Sequence, residues 1–203
     1  MANTPDFPPV YIFPDTVAAQ TPASSWQHWM KNKLRHGMKK QYDAHVLPPP
    51  DKNHASWSEL AASTEEAMSN EAMIAIGYGL GALSLLRVLE RGDMSLAAAH
   101  LVATPLGIGE IDHREEFGQF AEGFQFDWTK VLPKSRNFKV YHGKDDPKVP
   151  IENGVELARQ LQVSLIEIPG KHFEDPLVTT PPISESGPPS DSDLLLRAFF
   201  TRT

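Results

Sequence analysis

Apolar residues along this chain fall into short continuous runs separated by helical stripes. Residues 10–13, Val-Tyr-Ile-Phe, form a β-rich run closed by Pro14-Asp15, which predicts a strand entering a loop. Trp26, Trp29, Met30 and Leu34 then recur at three- and four-residue intervals from Ser25, and Gly37 stands where a helix would stop. Residues 42–47 predict a weaker strand broken by Pro48-Pro49-Pro50, and Trp57, Leu60, Ala61, Thr64 and Met68 mark one face of a second helix. Residues 72–76, Ala-Met-Ile-Ala-Ile, have no polar alternation, as expected of a central parallel strand covered on both faces. They run straight into Gly77-Tyr78-Gly79-Leu80-Gly81, after which residues 80–90 predict a helix. Residues 96–102, 138–141 and 164–168 supply further strands, with a helix over 151–161 between the last two.

Strands alternating with helices predict right-handed β-α-β crossovers and an α/β class with helices on both faces of a mostly parallel sheet of five or six strands. A chain of 203 residues has the size of one domain, so the expectation is a single unit over 1–203. The stretch 107–131 is less regular. Its residues Phe117, Phe120, Phe124, Phe126 and Trp128 predict packed short helices or an aromatic-lined cap. Residues 179–192 are rich in Pro and Ser and read as an exposed loop before a terminal helix carrying Leu194, Leu195, Leu196, Phe199 and Phe200.

Charge and composition narrow the functional classes. The formal net charge is -7 and no basic stripe accompanies the aromatic residues, which argues against nucleic-acid binding. No apolar run approaches the roughly 18 residues of a membrane span, and the first residues lack the pattern of a secretion signal, so a cytoplasmic protein with no membrane contact is expected. Without cysteine there is no disulfide, no thiolate nucleophile and no Cys-type zinc site. His100, His113 and His142 lack metal-ligand spacing, so no metal is expected. The glycines at 77, 79 and 81 depart from the Gly-x-Gly-x-x-Gly dinucleotide fingerprint, and no acidic residue closes a following strand about 20 residues on. No cofactor is expected either.

Four places resemble the small α/β-hydrolases of the retinoblastoma-binding-protein-9 and YdeN-like serine hydrolase family, over roughly residues 10–173. They are the first strand with Trp26 and Trp29, the proline-rich loop with Trp57, the strand and glycine turn ending at Gly81, and Gly143-Lys144-Asp145-Asp146-Pro147-Lys148-Val149-Pro150. The resemblance implies a three-layer α/β-hydrolase fold with the triad acid at Asp146. It also implies the triad histidine at His172, within Pro169-Gly170-Lys171-His172-Phe173. The nucleophile elbow falls on the glycine turn, and the order of positions 79, 146 and 172 is the nucleophile, acid, histidine order of such enzymes.

At the position the resemblance gives to the nucleophile stands Gly79, with no hydroxyl. A histidine and a carboxylate activate a nucleophile but do not replace one, so the covalent acyl-enzyme route is closed. Ser84 lies a turn further along the helix and reads as a helix-face serine. Leu80 keeps the place of the residue whose N–H faces an oxyanion, Tyr78 occupies the variable elbow position with its ring expected near the pocket mouth, and Asp15 stands where the family usually carries glycine. Lys171 likewise replaces a usual glycine. The expectation is a non-catalytic member of a serine hydrolase family that binds a small molecule or a protein partner. The alternative is an esterase or amidase whose serine has been replaced by engineering or whose nucleophile comes from elsewhere, including water held by His172.

Overall fold

The computed structural model describes residues 7–14, 26–36, 42–47, 64–66, 68, 73–111, 124–173, 195 and 198–199. Six strands form one sheet: β1 (Val10–Phe13), β2 (Ala44–Val46), β3 (Ile74–Tyr78), β4 (Ala98–Val102), β5 (Phe138–Gly143) and β6 (Leu165–Ile168). Their order across the sheet is β2-β1-β3-β4-β5-β6, and all five neighbouring pairs are parallel. Among the described residues, complete helices are α1 (Trp26–His36), α2 (Leu80–Arg91), the short α3 (Trp128–Val131) and α4 (Ile151–Gln160).

The expected strands all form, with shifted ends. β3 begins two residues later than the apolar run and continues through Tyr78, because Gly77 and Tyr78 still pair with Leu101 and Val102 of β4. β4 begins at Ala98, and Leu96 makes only an isolated bridge to Ser135. β5 runs on to Gly143, opposite Ile168 of β6. The expected second helix is described only at 64–66 and Met68, and the loop over 179–192 lies outside the described residues, as do Phe117, Phe120 and His113. Of the terminal helix, Leu195, Ala198 and Phe199 are described, with Leu195 and Phe199 buried.

Two apolar layers sandwich the sheet. One joins α2, α4 and the inner residues of β3, β4 and β5, including Leu85, Leu86, Leu89, Leu101 and Val140. The other packs Trp26, Met30 and Leu34 of α1 with Leu195 and Phe199 against Ile12, Ile76 and Tyr141. A smaller cluster joins Leu80 and Leu83 to Leu106, Phe124 and Phe126, so the described part of the aromatic stretch packs on the start of α2. Behind it, the Arg87 guanidinium is fully enclosed, bonded to Glu90 at 2.5 Å and to the Gln125 carbonyl at 2.6 Å, while Glu90 accepts from the Asp127 N–H at 2.6 Å. This buried ion pair fastens residues 125–127 to α2.

His100 sits within the second layer, its Nδ1 2.9 Å from the Tyr141 hydroxyl and its ring stacked on Tyr141 and tilted against Phe199. Burial, with the Lys139 charge adding, lowers its pKa to about 3. An unfolded chain takes up this proton near the ordinary histidine value of about 6.5, whereas the folded chain does not. Stability from His100 is therefore complete above that value and is lost as pH falls below it. We predict that the urea midpoint declines between about pH 7 and pH 5 and that His100→Asn flattens this decline; an unchanged slope would contradict the assignment.

Candidate active site

Because every strand is parallel, every strand ends on the same edge, and the segments of interest leave that edge together. The chain passes from β1 outward to β2 and then returns to β3 on the other side of β1, so the ends of β1 and β3 flank the topological switch point where open α/β sheets form their crevice. Pro14 follows β1 there, the glycine turn follows β3, the Asp146 loop follows β5 and the His172 loop follows β6.

The turn after β3 is tight. Gly79 has φ 54 and ψ -119, a left-handed backbone that favours glycine, and it caps α2 without a side-chain hydrogen bond. Its N–H is held by the Val102 carbonyl at 3.0 Å, while its carbonyl receives the Ala82 N–H at 3.1 Å. A Cβ on Gly77 would lie 2.5 Å from the Ala82 Cα, and one on Gly81 would strike the carbonyls of Phe13 and Pro14. The flanking glycines let α2 start directly against β3 and the end of β1. As a first-turn residue, Leu80 presents an N–H with no carbonyl one helical turn behind it. Ser84 Oγ instead bonds the Leu80 carbonyl at 3.1 Å inside the helix, where the side chain is buried.

Two strands away, β5 ends at Gly143 and the loop turns on Asp146. Its Oδ1 accepts the N–H groups of Lys148 and Val149 at 2.9 and 3.0 Å, leaving Oδ2 to His172 Nδ1 at 2.7 Å. The carboxylate has no exposed surface and the imidazole keeps 12%. Burial alone raises the Asp146 pKa, but the hydrogen bond and charge of His172 with the two backbone donors outweigh it, and the net shift is downward. Asp146 is thus ionised and acceptor-only, so in this contact His172 donates from Nδ1.

His172 follows the edge strand β6, yet its loop folds back across the sheet. Lys144 N–H donates to the Ile168 carbonyl at 3.0 Å and Asp145 N–H to the Gly170 carbonyl at 3.1 Å. A Cβ on Gly143 would collide with the Lys171 carbonyl, so glycine there allows the crossing. The far end is fixed by Tyr78, whose hydroxyl donates to the His172 carbonyl at 2.6 Å. The Tyr78 ring stacks on Trp26 at 4.9 Å and lies 5.4 Å from the imidazole. Tyr78 is 1% exposed, its ring buried beneath the returning loop.

The structure thus brings Asp146 and His172 together and ties the His172 backbone to Tyr78, the residue before Gly79. Asp15 lies outside the described residues. Sequence reading missed His142 and Asn153. His142, treated as scattered, places Nε2 2.8 Å from the Val149 carbonyl and 3.7 Å from Asp146 Oδ2. Asn153, buried on α4, accepts the N–H groups of Leu106 and Ile108 and donates to the carbonyls of Ile108 and Pro150, tying the loop after β4 to the Asp146 loop. The four-residue spacing from His142 to Asp146 was the available signal for the first; nothing in the sequence marks the second. Among the described residues no cluster of three metal-ligating side chains occurs, and no helix is long and apolar enough to cross a membrane.

This sheet order, with the glycine turn, acid and histidine loops at one edge, is the α/β-hydrolase fold. The chain is 26% identical over 178 residues to a Bacillus subtilis protein described as "Putative hydrolase YdeN", covering 86% of this chain and 90% of that one. The crystal structure of the ydeN gene product from B. subtilis superposes with a TM-score of 0.64 at 22% identity, over 82% of this chain and 88% of the other. An N-formylmaleamic acid deformylase from Pseudomonas putida superposes with a TM-score of 0.56 at 13% identity, over 84% and 88%. No protein-family model matches the chain.

The packing of the turn gives a direct test. Gly81→Ala should lower stability by about 1–3 kcal/mol, the cost of overpacking a filled site, whereas Ser84→Ala should stay within about 0.5 kcal/mol because its hydroxyl only repeats a helical carbonyl contact. Urea denaturation of both variants checks the difference, and equal effects would show that α2 can move away from β1 freely.

Proposed function

We propose that this protein is a non-catalytic relative of serine hydrolases that binds a small molecule or a protein partner beside the Asp146–His172 pair. One observation carries the reading: the residue at the apex of the β3–α2 turn is Gly79, in the backbone conformation φ 54, ψ -119, with no side-chain oxygen to attack a carbonyl. The nearby Ser84 hydroxyl is spent on the Leu80 carbonyl within α2, which argues against its serving as a substitute. Binding then uses what persists at the sheet edge, namely the His172 imidazole, the Leu80 N–H at the start of α2, and the Asp146 carboxylate that orients the imidazole.

A second reading, an esterase or amidase, draws support from the 2.7 Å bond between an ionised, enclosed carboxylate and His172, the arrangement of a general base. That reading requires water or a group other than residue 79 as the nucleophile.

Hydrolysis of short-chain activated esters by the protein and by Gly79→Ser separates the two. We expect no turnover by the unmodified protein and, in Gly79→Ser, a rate about 10²-fold or more above background that His172→Ala abolishes. Turnover by the unmodified protein that His172→Ala removes would overturn the non-catalytic reading. Inactivity of both forms would leave that reading standing and show that more than the hydroxyl is missing, with Asp15 and Lys171 the first places to look.

A further inference from the structure

The pair that defines the site has a third member that the serine-hydrolase pattern does not call for. His142 is fully enclosed on β5, one residue before Gly143. A carbonyl oxygen accepts only, so the 2.8 Å contact with the Val149 carbonyl makes Nε2 the protonated nitrogen. Nδ1 then carries the lone pair, and among the described residues it has no hydrogen-bond partner. It faces Gly154 of α4, where a Cβ would sit 2.7 Å from Nδ1 and 3.0 Å from Cγ. The side chain at 154 is therefore limited to hydrogen, and the ring fills the gap between β5 and α4.

Position and charge of this ring bear on Asp146 together. Val149 is the residue whose N–H donates to Asp146 Oδ1 at 3.0 Å, and its carbonyl is the group His142 holds. The next carbonyl, of Pro150, is held by the Asn153 side chain at 2.8 Å. Successive peptides of the acid loop are thus gripped from β5 and from α4. His142 Nε2 lies 3.7 Å from Asp146 Oδ2, beyond hydrogen-bond distance, whereas His172 Nδ1 lies at 2.7 Å from the same oxygen. Among the described residues the charged or titratable groups facing His142 are Asp146, His172 and Glu152, and burial outweighs the Val149 hydrogen bond and the two carboxylates, so the net shift of the imidazole pKa is downward and the ring stays neutral. A neutral ring leaves the carboxylate charge to His172; a protonated one would compete for Oδ2.

We propose that His142 is a positioning residue for the Asp146–His172 pair: by bonding the Val149 carbonyl from a pocket opened by Gly154, it aims Asp146 Oδ2 at His172 Nδ1 and so sets the His172 tautomer. The proposal depends on the geometry of the pair and not on what the pair binds.

The test reads the pair directly by proton and nitrogen NMR of labelled protein at about pH 8, where a free imidazole is neutral. The low-field Nδ1–H signal is assigned by its loss in His172→Gln. In His142→Leu, folded by circular dichroism, we expect that signal to be lost and the His172 nitrogen shifts to report mixed tautomers. In His142→Gln, which can still donate to the Val149 carbonyl, the signal should return. Gly154→Ala changes no polar group but presses a methyl on the His142 ring, and should also shift or broaden the signal. If His142→Leu does not fold, Gly154→Ala and His142→Gln decide. An unchanged signal in folded His142→Leu or folded Gly154→Ala, or its loss in His142→Gln, would overturn the proposal. None of these readings depends on ester hydrolysis, so they stand or fall separately from the proposed function.

Discussion

An ionised carboxylate with no contact to water must be met by donors, and the candidate site is arranged around that requirement at Asp146. Two donors are local, the Lys148 and Val149 N–H groups, and they fix the shape of the loop after β5. The third comes from His172, beyond the far strand, and requires the chain to return over Gly143. The Tyr78 hydroxyl completes the return by holding the His172 carbonyl from β3. The ends of three strands are therefore linked by hydrogen bonds that share one origin, a negative charge buried at the sheet edge.

The layered fold was legible because it depends on periodicity. The apolar run of β3 and the nearly continuous one of β4 could only be covered on both faces, and the stripe of Trp26, Met30 and Leu34 could only bury one side of α1. Strand ends were less legible, since pairing with a neighbour rather than apolarity carries β3 through Tyr78 and β5 through Gly143. The proximity of Asp146 and His172 followed from chain order in a parallel sheet together with a family resemblance. The roles of Tyr78, His142 and Asn153 did not follow, because each contacts groups in other loops. Local patterning cannot tell a tyrosine aimed at a pocket from one aimed beneath a returning backbone.

Buried polar groups also explain how irregular segments are held without regular structure. Asn153 uses its carbonyl oxygen for two N–H groups and its amide for two carbonyls, so the loop after β4 is pinned to the first turn of α4 with its backbone polarity met. Arg87 and Glu90 do the same for residues 125–127, with the guanidinium 4.0 Å above the Phe126 ring. Both stems of the excursion between β4 and α3 are thereby fastened, one to α4 and the other to α2. Loss of one ion-pair partner would strand the other in an apolar setting, a cost of about 3–5 kcal/mol that makes this anchorage cooperative.

The glycine turn and the Asp146–His172 pair carry different weight as indicators of function. The turn is shaped by packing: Gly77 and Gly81 admit α2 against β3 and the end of β1, and Gly79 adopts φ 54 without the roughly 1–3 kcal/mol of strain that a side chain adds there. Such a turn persists with or without a nucleophile. The pair is not explained in this way, since an apolar residue at 146 would fill the space with no charge to desolvate and no need for a returning histidine loop. Its three donors, and the neutral His142 ring that leaves the charge to His172, are costs of folding that find their compensation in an imidazole held in one orientation through Nδ1. The Asp146–His172 pair is therefore the stronger structural reason to look for a ligand at this edge of the sheet, and the shape of the turn is the weaker one.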